Sequence, residues 1–208
     1  MQELIVFPYS GTGIEALDCL GKDFKCIGFV SDDESLIGSF YNEIGIFSRD
    51  IFIQKPNAKV LAVPGSPSSF LKRKAIIENL NIDDSRFASV IHPNAFISSN
   101  INIGFNTLIM AGVVITSNAK IGNHVCVLPN SVIHHDSVVG NYTLIAAGNV
   151  ISGDVNIGEN CYIGAGCSII NGCTIGSKSL IGIGSNVIRN IPENKKFAGN
   201  PAKELTRE

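Results

Sequence analysis

Residues 151–187 read ISGDVN IGENCY IGAGCS IINGCT IGSKSL IGIGSN V, with an aliphatic residue at every sixth position. The same spacing runs unbroken over residues 91–187, and all seventeen residues at this position are isoleucine or valine. A fixed period of six is typical of a parallel β-helix, in which each hexapeptide forms one side of a three-sided coil. Neither an α-helix nor a simple two-residue strand alternation requires that period.

The other positions of the repeat fit the same coil, counting the repeated aliphatic as position one. Position five is mostly small or β-branched, as a corner beneath the next coil requires. Position two is often glycine, which predicts tight turns that need either a positive φ or the absence of a side chain; these glycines are Gly104, Gly122, Gly140, Gly158, Gly164, Gly176 and Gly182. Three hexapeptides per coil predict five to six coils in a prism about 25 Å tall. After Val187 the tail is predicted to leave the period.

Composition excludes several classes of function. The net charge is −2 and charged residues make up 16%, so there is no basic surface for nucleic acid. The sequence contains no run of about 18 apolar residues, the length that a membrane-spanning helix requires. The N-terminal MQELIVFPYSGTG has neither a charged start nor a long apolar segment. We therefore expect no signal peptide, no membrane partner and a cytoplasmic protein.

The six cysteines do not suggest a metal site or a disulfide framework. Cys161, Cys167 and Cys173 share position five of consecutive hexapeptides, so they lie on three different sides of the coil. Thiolates so placed cannot converge on one zinc ion at bonds of about 2.3 Å. We expect the cysteines to be buried small hydrophobic residues without a nucleophilic role.

The first ninety residues have a different pattern. Apolar runs at residues 3–7, 26–30 and 59–63 predict strands, and helical spacing at 14–20 and 70–80 predicts two helices, the second capped by Ser68 or Ser69. This alternation predicts a small doubly wound α/β, Rossmann-like domain over residues 1–87. Residues 88–208 then form the β-helix domain and its C-terminal tail.

Ligands of doubly wound domains bind at the carboxyl ends of the strands. The Ser10-Gly11-Thr12-Gly13 turn after the first strand suggests a phosphate-contacting loop, although such turns are often only turns. Asp32 and Asp33 follow the second strand, where they could accept hydrogen bonds from a ribose or a base. For Lys72-Arg73-Lys74 we favour a solvated helix face over contact of one cation with a phosphate.

Among the four histidines, His135 is the candidate for catalysis. It occupies position three of its hexapeptide, which points away from the aliphatic interior, and Asp136 follows it. A carboxylate that holds one imidazole nitrogen raises the basicity of the other, as a general base near pH 7 requires. Neighbouring residues of a straight strand face opposite ways, so the pair requires a coil corner. His134 lines the substrate or is inert, and His92 caps the start of the β-helix; two surface histidines without function are the alternative.

The repeat [Ile/Val]-Gly-x-x-[small]-x, with the terminal Ala198-Gly199-Asn200-Pro201-Ala202-Lys203, resembles the left-handed β-helix acyltransferases. The preceding α/β domain narrows the resemblance to the NeuD/PglD-like sugar acetyltransferases. The resemblance implies a homotrimer with active sites between subunits, acetyl-CoA as co-substrate and no metal. It also implies direct N-acetylation of a nucleotide-linked amino sugar, such as a 4-amino-4,6-dideoxyhexose, for bacterial surface glycans.

The resemblance also assigns residues to roles. The segment VIHHDSVVG, residues 132–140, is similar to the family's catalytic segment, so that His135 is the base, Asp136 its partner and the Gly153 N–H the oxyanion donor. Acetyl-CoA contacts are assigned to Leu144, which stands where some members have a second histidine, and to Ala165, Ile183, Asn200, Pro201 and Lys203. Nucleotide-sugar contacts are assigned to Ser10, Gly11, Thr12, Asp32, Asp33 and Gly65.

Three alternatives stay open. O-acetylation of a sugar hydroxyl, as on sialic acid, would use the same base and co-substrate. A metal hydratase of the γ-carbonic anhydrase type needs three converging histidines, and the spacing of His124, His134 and His135 is poor for that. A purely structural prism, such as an ice-binding one, would show ordered threonine rows, which the sequence lacks.

Overall fold

The computed structural model describes residues 1–205, which begin with an α/β domain. Its elements are β1 (Gln2–Phe7), α1 (Gly11–Glu15), β2 (Phe24–Val30), β3 (Phe40–Tyr41), β4 (Ile44–Phe47), α2 (Ile51–Gln54), β5 (Lys59–Ala62) and α3 (Arg73–Glu78), with 3-10 turns at Ala16–Cys19, Glu34–Leu36, Phe70–Lys72 and Asp84–Arg86. The five strands form one sheet in the order β3-β4-β2-β1-β5. All neighbours are parallel except β3 and β4. The Rossmann-like prediction is confirmed.

Some elements of this domain leave no recognisable pattern in the sequence. The β3–β4 hairpin and α2 are two to four residues long, too short to show a periodicity. The helix predicted from residue 70 divides into a 3-10 turn and α3, and Ser69 occupies its N-cap without a side-chain hydrogen bond.

The seventeen predicted hexapeptides form seventeen two-residue strands. They are β6 (Val90–Ile91), β7 (Phe96–Ile97), β8 (Asn102–Ile103), β9 (Leu108–Ile109), β10 (Val114–Ile115), β11 (Lys120–Ile121), β12 (Cys126–Val127), β13 (Val132–Ile133), β14 (Val138–Val139), β15 (Leu144–Ile145), β16 (Val150–Ile151), β17 (Asn156–Ile157), β18 (Tyr162–Ile163), β19 (Ser168–Ile169), β20 (Thr174–Ile175), β21 (Leu180–Ile181) and β22 (Asn186–Val187). From β6 to β19, each pairs in parallel with the strand three further on, so one coil takes eighteen residues, as Ile115 against Ile133 illustrates. The parallel β-helix is confirmed.

The strands make three faces of a prism. The first face contains β6, β9, β12, β15, β18 and β21; the second contains β7, β10, β13, β16, β19 and β22; the third contains β8, β11, β14, β17 and β20. Position-one side chains fill the interior from Ile109 onward, whereas Ile91, in the first coil, is 39% exposed because no coil covers it from below. Position five is also buried from Thr107 onward.

The corners have their own backbone rule. Position four has a positive φ in every hexapeptide from Asn106 to Gly184, and Asn, Asp and Gly are frequent there because they tolerate this conformation. The glycines at position two have another cause. A Cβ on Gly158 would lie 2.6 Å from the backbone nitrogen of Ser177 in the next coil. The glycines at position two are therefore required because a side chain would collide with the next coil, and not because they need a positive φ.

The tail departs from the period less than predicted. Ile191 bridges to Ile175, and β23 (Lys196–Ala198) pairs in parallel with β21. Ile191 and Phe197 each follow their partners by sixteen residues instead of eighteen, so the coil continues with a shortened turn. The tail leaves the prism only at β24 (Lys203–Glu204), which pairs antiparallel with β23.

The α/β domain packs on the first face of the prism. The outward-pointing position-six residues of that face are apolar, and Val90, Leu108, Cys126 and Leu144 are buried. They join one apolar cluster with residues of β1 and β5. The Asn106 side chain adds a polar tie, because its amide accepts from the N–H of Ala62, at 2.7 Å, and donates to the Ala62 carbonyl, at 2.9 Å.

Arg73 contradicts the predicted solvated helix face. Its side chain is fully buried between the two domains. The guanidinium donates to the carbonyl oxygens of Pro64 and His124 and contacts the Cys126 sulfur. Lys74 is only half-buried and pairs with Glu159. The sequence predicts one exposed face for the three consecutive cations, but the middle one fixes the loop after β5 on the β-helix.

Candidate active site

His135 and Asp136 meet at the corner between the second and third faces. The His135 Nδ1 lies 2.8 Å from the Asp136 Oδ2. The positive φ of Asp136, 60°, turns the chain there and lets adjacent side chains converge, as the predicted pairing required. Both side chains are exposed, at 60% and 52%. The imidazole is therefore oriented by the carboxylate but open to a reactant.

The electrostatics of this pair fit a base and its orienting acid. The hydrogen bond from His135, followed by one from Asn118, holds the pKa of Asp136 below its usual value. An ionised carboxylate only accepts hydrogen bonds, so Nδ1 carries the proton. The Nε2 of neutral His135 is then left with a free lone pair. The Asn118 contact was not anticipated from the sequence.

Gly153 lies directly against the imidazole of His135. It occupies the same position of the next coil, and a Cβ on it would lie 2.5 Å from the His135 Cε1 and 2.6 Å from Nε2. Gly153 is buried, and its N–H makes no hydrogen bond within residues 1–205. The N–H groups of other position-three residues, such as Ala147 and Ala165, also have no partner there, so the coil corner leaves this N–H available to a ligand.

The predicted nucleotide-sugar residues follow β1, β2 and β5 at the carboxyl edge of the sheet. Ser10 caps α1 by accepting from the Gly13 N–H. Both oxygens of Asp32 are held by Arg49, at 2.7 Å each. The Asp33 Oδ1 accepts from the N–H and hydroxyl of Ser35, which leaves Oδ2 the freer acceptor. Gly65 needs its φ of 133°, a conformation that other residues rarely adopt.

The predicted acetyl-CoA residues do not form one group. Ala165 and Ile183 lie in successive coils at the corner between the first and second faces, and Ile183 is exposed. Asn200 lines a shallow cavity on the second face with Ile170 and Ile188. Pro201 and Lys203 lie in the exposed tail.

Leu144 lies elsewhere, on the first face beneath the α/β domain. With Thr12, Gly65 and Tyr162 it lines a cavity of about 190 Å³. The structure thus brings Leu144 to two predicted nucleotide-sugar residues, and its contact with acetyl-CoA stays a prediction.

A larger cavity between the domains was missed by the sequence analysis. It measures about 450 Å³ and lies where α1 and its 3-10 extension face the corner of the first and second faces; it is lined by Glu15, Asp18, Cys19, His92, Met110, Ala111, Leu128, Pro129 and Ala147. Leu128 also lines the smaller cavity, so the two share a wall. An apolar pocket with two carboxylates suits a ligand that has an amine on an apolar body.

The remaining histidines have structural surroundings. The His92 Nδ1 accepts from the Asn94 N–H at 2.9 Å, as a cap of the first coil. His134 is exposed on the second face. His124 is buried against Tyr142, and its Nδ1 lies 2.8 Å from the Asn106 amide nitrogen. Burial, with the nearby Arg73, lowers the pKa of His124 to about 4.

The cysteines are buried and unpaired, as predicted. Burial raises the pKa of the Cys161 thiol to about 11, which is unfavourable for a nucleophile. Within residues 1–205, no group of three or more His, Cys, Asp or Glu side chains could hold a metal ion. None of the helices in that range is long and apolar enough to cross a membrane.

Comparison with known proteins identifies the repeat and the whole fold. The family model "Bacterial transferase hexapeptide (six repeats)" matches residues 100–135 and 118–153. The acetyltransferase domain of PglB from Neisseria gonorrhoeae, in complex with acetyl coenzyme A, is 25% identical over 98% of this chain and 99% of that domain, with a TM-score of 0.86. WeeI from Acinetobacter baumannii is 26% identical over 99% and 100%, with a TM-score of 0.82.

A third structure shares the fold. PerB from Caulobacter crescentus, in complex with CoA and GDP-perosamine, is 22% identical over 99% of this chain and 98% of that one, with a TM-score of 0.81. No curated protein matches the sequence. Over residues 100–153 the chain matches the hexapeptide repeat of bacterial transferases, and over its whole length it is similar to the acetyltransferase domain of PglB. More narrowly, its α/β domain and β-helix together have the architecture of the NeuD/PglD type of sugar acetyltransferase.

Proposed function

We propose that the protein transfers the acetyl group of acetyl-CoA to the amino group of a nucleotide-linked amino sugar, such as a 4-amino-4,6-dideoxyhexose, for bacterial surface glycan synthesis. The observation that carries the proposal is the pair of His135 and Asp136, with Nδ1 held at 2.8 Å and the imidazole exposed. Such a pair holds one imidazole nitrogen and presents the other to a reactant, as a general base requires.

In the proposed mechanism the neutral amine attacks the thioester carbonyl carbon while His135 Nε2 takes its proton. The C–N bond forms, and the carbonyl oxygen becomes an oxyanion that accepts from the Gly153 N–H. The oxyanion then collapses, the C–S bond breaks, and the CoA thiolate takes the proton from the imidazolium. No covalent enzyme intermediate is needed, in keeping with six buried thiols.

The cavity of about 450 Å³ supports an amine acceptor. Glu15 and Asp18 attract an amino group, whereas Met110, Leu128 and Ala147 suit the methyl group of a deoxy sugar. The nucleotide would bind at the neighbouring strand ends, through Ser10, Gly11, Thr12, Asp33 and Gly65. Because Arg49 already holds Asp32, we assign the ribose or base contact first to the Asp33 Oδ2. PerB, in complex with GDP-perosamine, has the same fold.

Acetyl-CoA would lie along the corner between the first and second faces, in the later coils. Ala165 leaves room there, and Ile183, 79% exposed, offers an apolar contact for the pantetheine arm. Asn200, Pro201 and Lys203 would contact it from the tail. The PglB domain, which is similar over the whole chain, contains acetyl coenzyme A.

The placement of these parts supports a homotrimer with shared active sites. The cavity lies at one edge of the second face and His135 at the other. Between them the second face exposes apolar side chains, namely Phe96, Val150, Ile170 and Ile188. Head-to-tail packing of that face closes a ring, in which each copy brings its base to the cavity of the next. The ring also covers the exposed apolar residues.

The cytoplasm is the compartment that we propose. Acetyl-CoA and nucleotide sugars are cytoplasmic reactants, and six unpaired cysteines fit a reducing compartment.

The test is release of CoA thiol from acetyl-CoA with matched pairs of UDP-, GDP- and dTDP-sugars. Each pair carries an amino or a hydroxyl group at the same carbon. We expect turnover with an amino sugar of one nucleotide and background rates with its hydroxyl partner. Turnover with the hydroxyl partner alone would replace N-acetylation by O-acetylation, and no turnover with any pair would reject the proposed substrate class.

A further inference from the structure

Asn118 completes the hydrogen bonding of the Asp136 carboxylate. While the Asp136 Oδ2 holds the imidazole, Oδ1 accepts from the Asn118 Nδ2 at 3.0 Å. A carboxylate has no proton to donate when it is ionised, so the amide group of Asn118 is oriented with its nitrogen toward Asp136. Both carboxylate oxygens are therefore engaged by named donors.

The eighteen-residue register of the β-helix places Asn118 beside Asp136. Asn118 and Asp136 occupy position four of hexapeptides one coil apart, with φ of 61° and 60°. The Asp136 N–H donates to the Ser117 carbonyl at 3.0 Å, which fixes the backbones against each other. The amide therefore reaches the carboxylate from a rigid corner and not from a flexible loop.

We propose that Asn118 is a positioning residue: its amide fixes the plane of the Asp136 carboxylate and thereby the orientation of the His135 imidazole. The proposal rests on the proposed function of His135 as the base. An exposed carboxylate with a single hydrogen bond can rotate, and the imidazole would rotate with it. With two donors on opposite oxygens, rotation breaks a charge-assisted hydrogen bond at one end.

Asn118 also affects the pKa of Asp136. Asp154 occupies position four of the next coil, and its N–H donates to the His135 carbonyl. An acid therefore lies above Asp136 in this column, whereas the neutral donor Asn118 lies below it. His134 is the other titratable neighbour. Loss of the Asn118 donor is expected to raise the pKa of Asp136, since that hydrogen bond lowers it.

The test is Asn118→Gly, because glycine keeps the positive φ without strain and removes only the amide. The matched control is Asn194→Gly, at an exposed corner with a φ of 59° in the tail. We expect kcat to fall roughly tenfold in Asn118→Gly, with little change in KM. A loss of that size is typical when a hydrogen-bond partner that orients a metal-ligating side chain is removed. The melting temperature should match that of the control.

A readout independent of turnover separates this proposal from the proposed function. Carbon NMR of the Asp136 carboxyl follows its titration in the intact protein. An upward shift of its pKa in Asn118→Gly but not in Asn194→Gly supports the positioning role, even if no tested sugar is a substrate. Superimposable titrations of the wild type and Asn118→Gly would overturn it, whatever their kcat.

Discussion

Replacing Gly153 by alanine is expected to displace the imidazole of His135 and to lower kcat while the β-helix stays folded. Gly153 has no left-handed φ, so the backbone accepts an alanine. The new Cβ would lie 2.5 Å from the His135 Cε1, 2.6 Å from Nε2 and 3.1 Å from Nδ1. The ring is exposed and can swing away, so the collision is relieved by the side chain and not by the coil.

The expected loss of kcat follows from the size of the movement of the imidazole. Restoring an ordinary contact requires a shift of roughly 1 Å, and a misplacement of that size can lower a rate by about 100-fold. The shift also strains the 2.8 Å hydrogen bond to Asp136. The assay is the steady-state rate of CoA release at saturating acetyl-CoA and amino sugar, with melting temperature measured on the same preparations.

Gly158→Ala is the contrasting control. Its Cβ would meet the backbone nitrogen of Ser177 at 2.6 Å, and a backbone in the prism cannot swing aside. Gly158→Ala should therefore lower the melting temperature, whereas Gly153→Ala should lower kcat. Wild-type kcat in a folded Gly153→Ala variant would refute the role of this contact.

Three further predictions concern the buried polar groups and the assembly. Because the pKa of His124 falls from 6.5 to about 4 on folding, the unfolded chain binds a proton in this pH range that the folded chain does not. Urea titrations should therefore show that the free energy of unfolding drops by about 1.4 kcal/mol per pH unit from pH 6.5 toward 4. This dependence on pH should vanish in His124→Asn and persist in His134→Asn. Arg73→Lys keeps the charge, but one ammonium cannot reach both carbonyl oxygens to which the guanidinium donates. Urea unfolding should therefore show a free energy of unfolding lower by about 1–3 kcal/mol. An unchanged urea midpoint would argue against the role of Arg73 in fixing the loop after β5 on the β-helix. Mixed assemblies of inactive His135→Ala and inactive Ala147→Trp, which fills the cavity, should regain activity, whereas a site within one chain would leave the mixture inactive.

The sequence predicted the scaffold well because the repeat acts locally. One aliphatic position fixed the coil length, the inward phase and the exposure of His135. Pairing of His135 with Asp136 was also predictable, since a corner at position four turns the chain.

What escaped prediction depends on contacts between coils or domains. Asn118 lies eighteen residues before Asp136, so a comparison of equal positions in successive coils would have found it. The same eighteen-residue comparison reveals that Val90, Leu108 and Leu144 form an apolar outer face, which the α/β domain covers. Burial of Arg73 has no such signal, because its acceptors are backbone carbonyls from two domains.

The most direct test of the account is the single-turnover rate of acetyl transfer in His135→Ala against the wild type. The acceptor is the nucleotide amino sugar selected by the thiol-release screen, and the acetylated product is identified by mass spectrometry. We predict a loss of roughly 100- to 10,000-fold in the rate with little change in KM for either substrate, as for removal of a general base. A folded His135→Ala variant that forms the product at the wild-type rate would contradict the account.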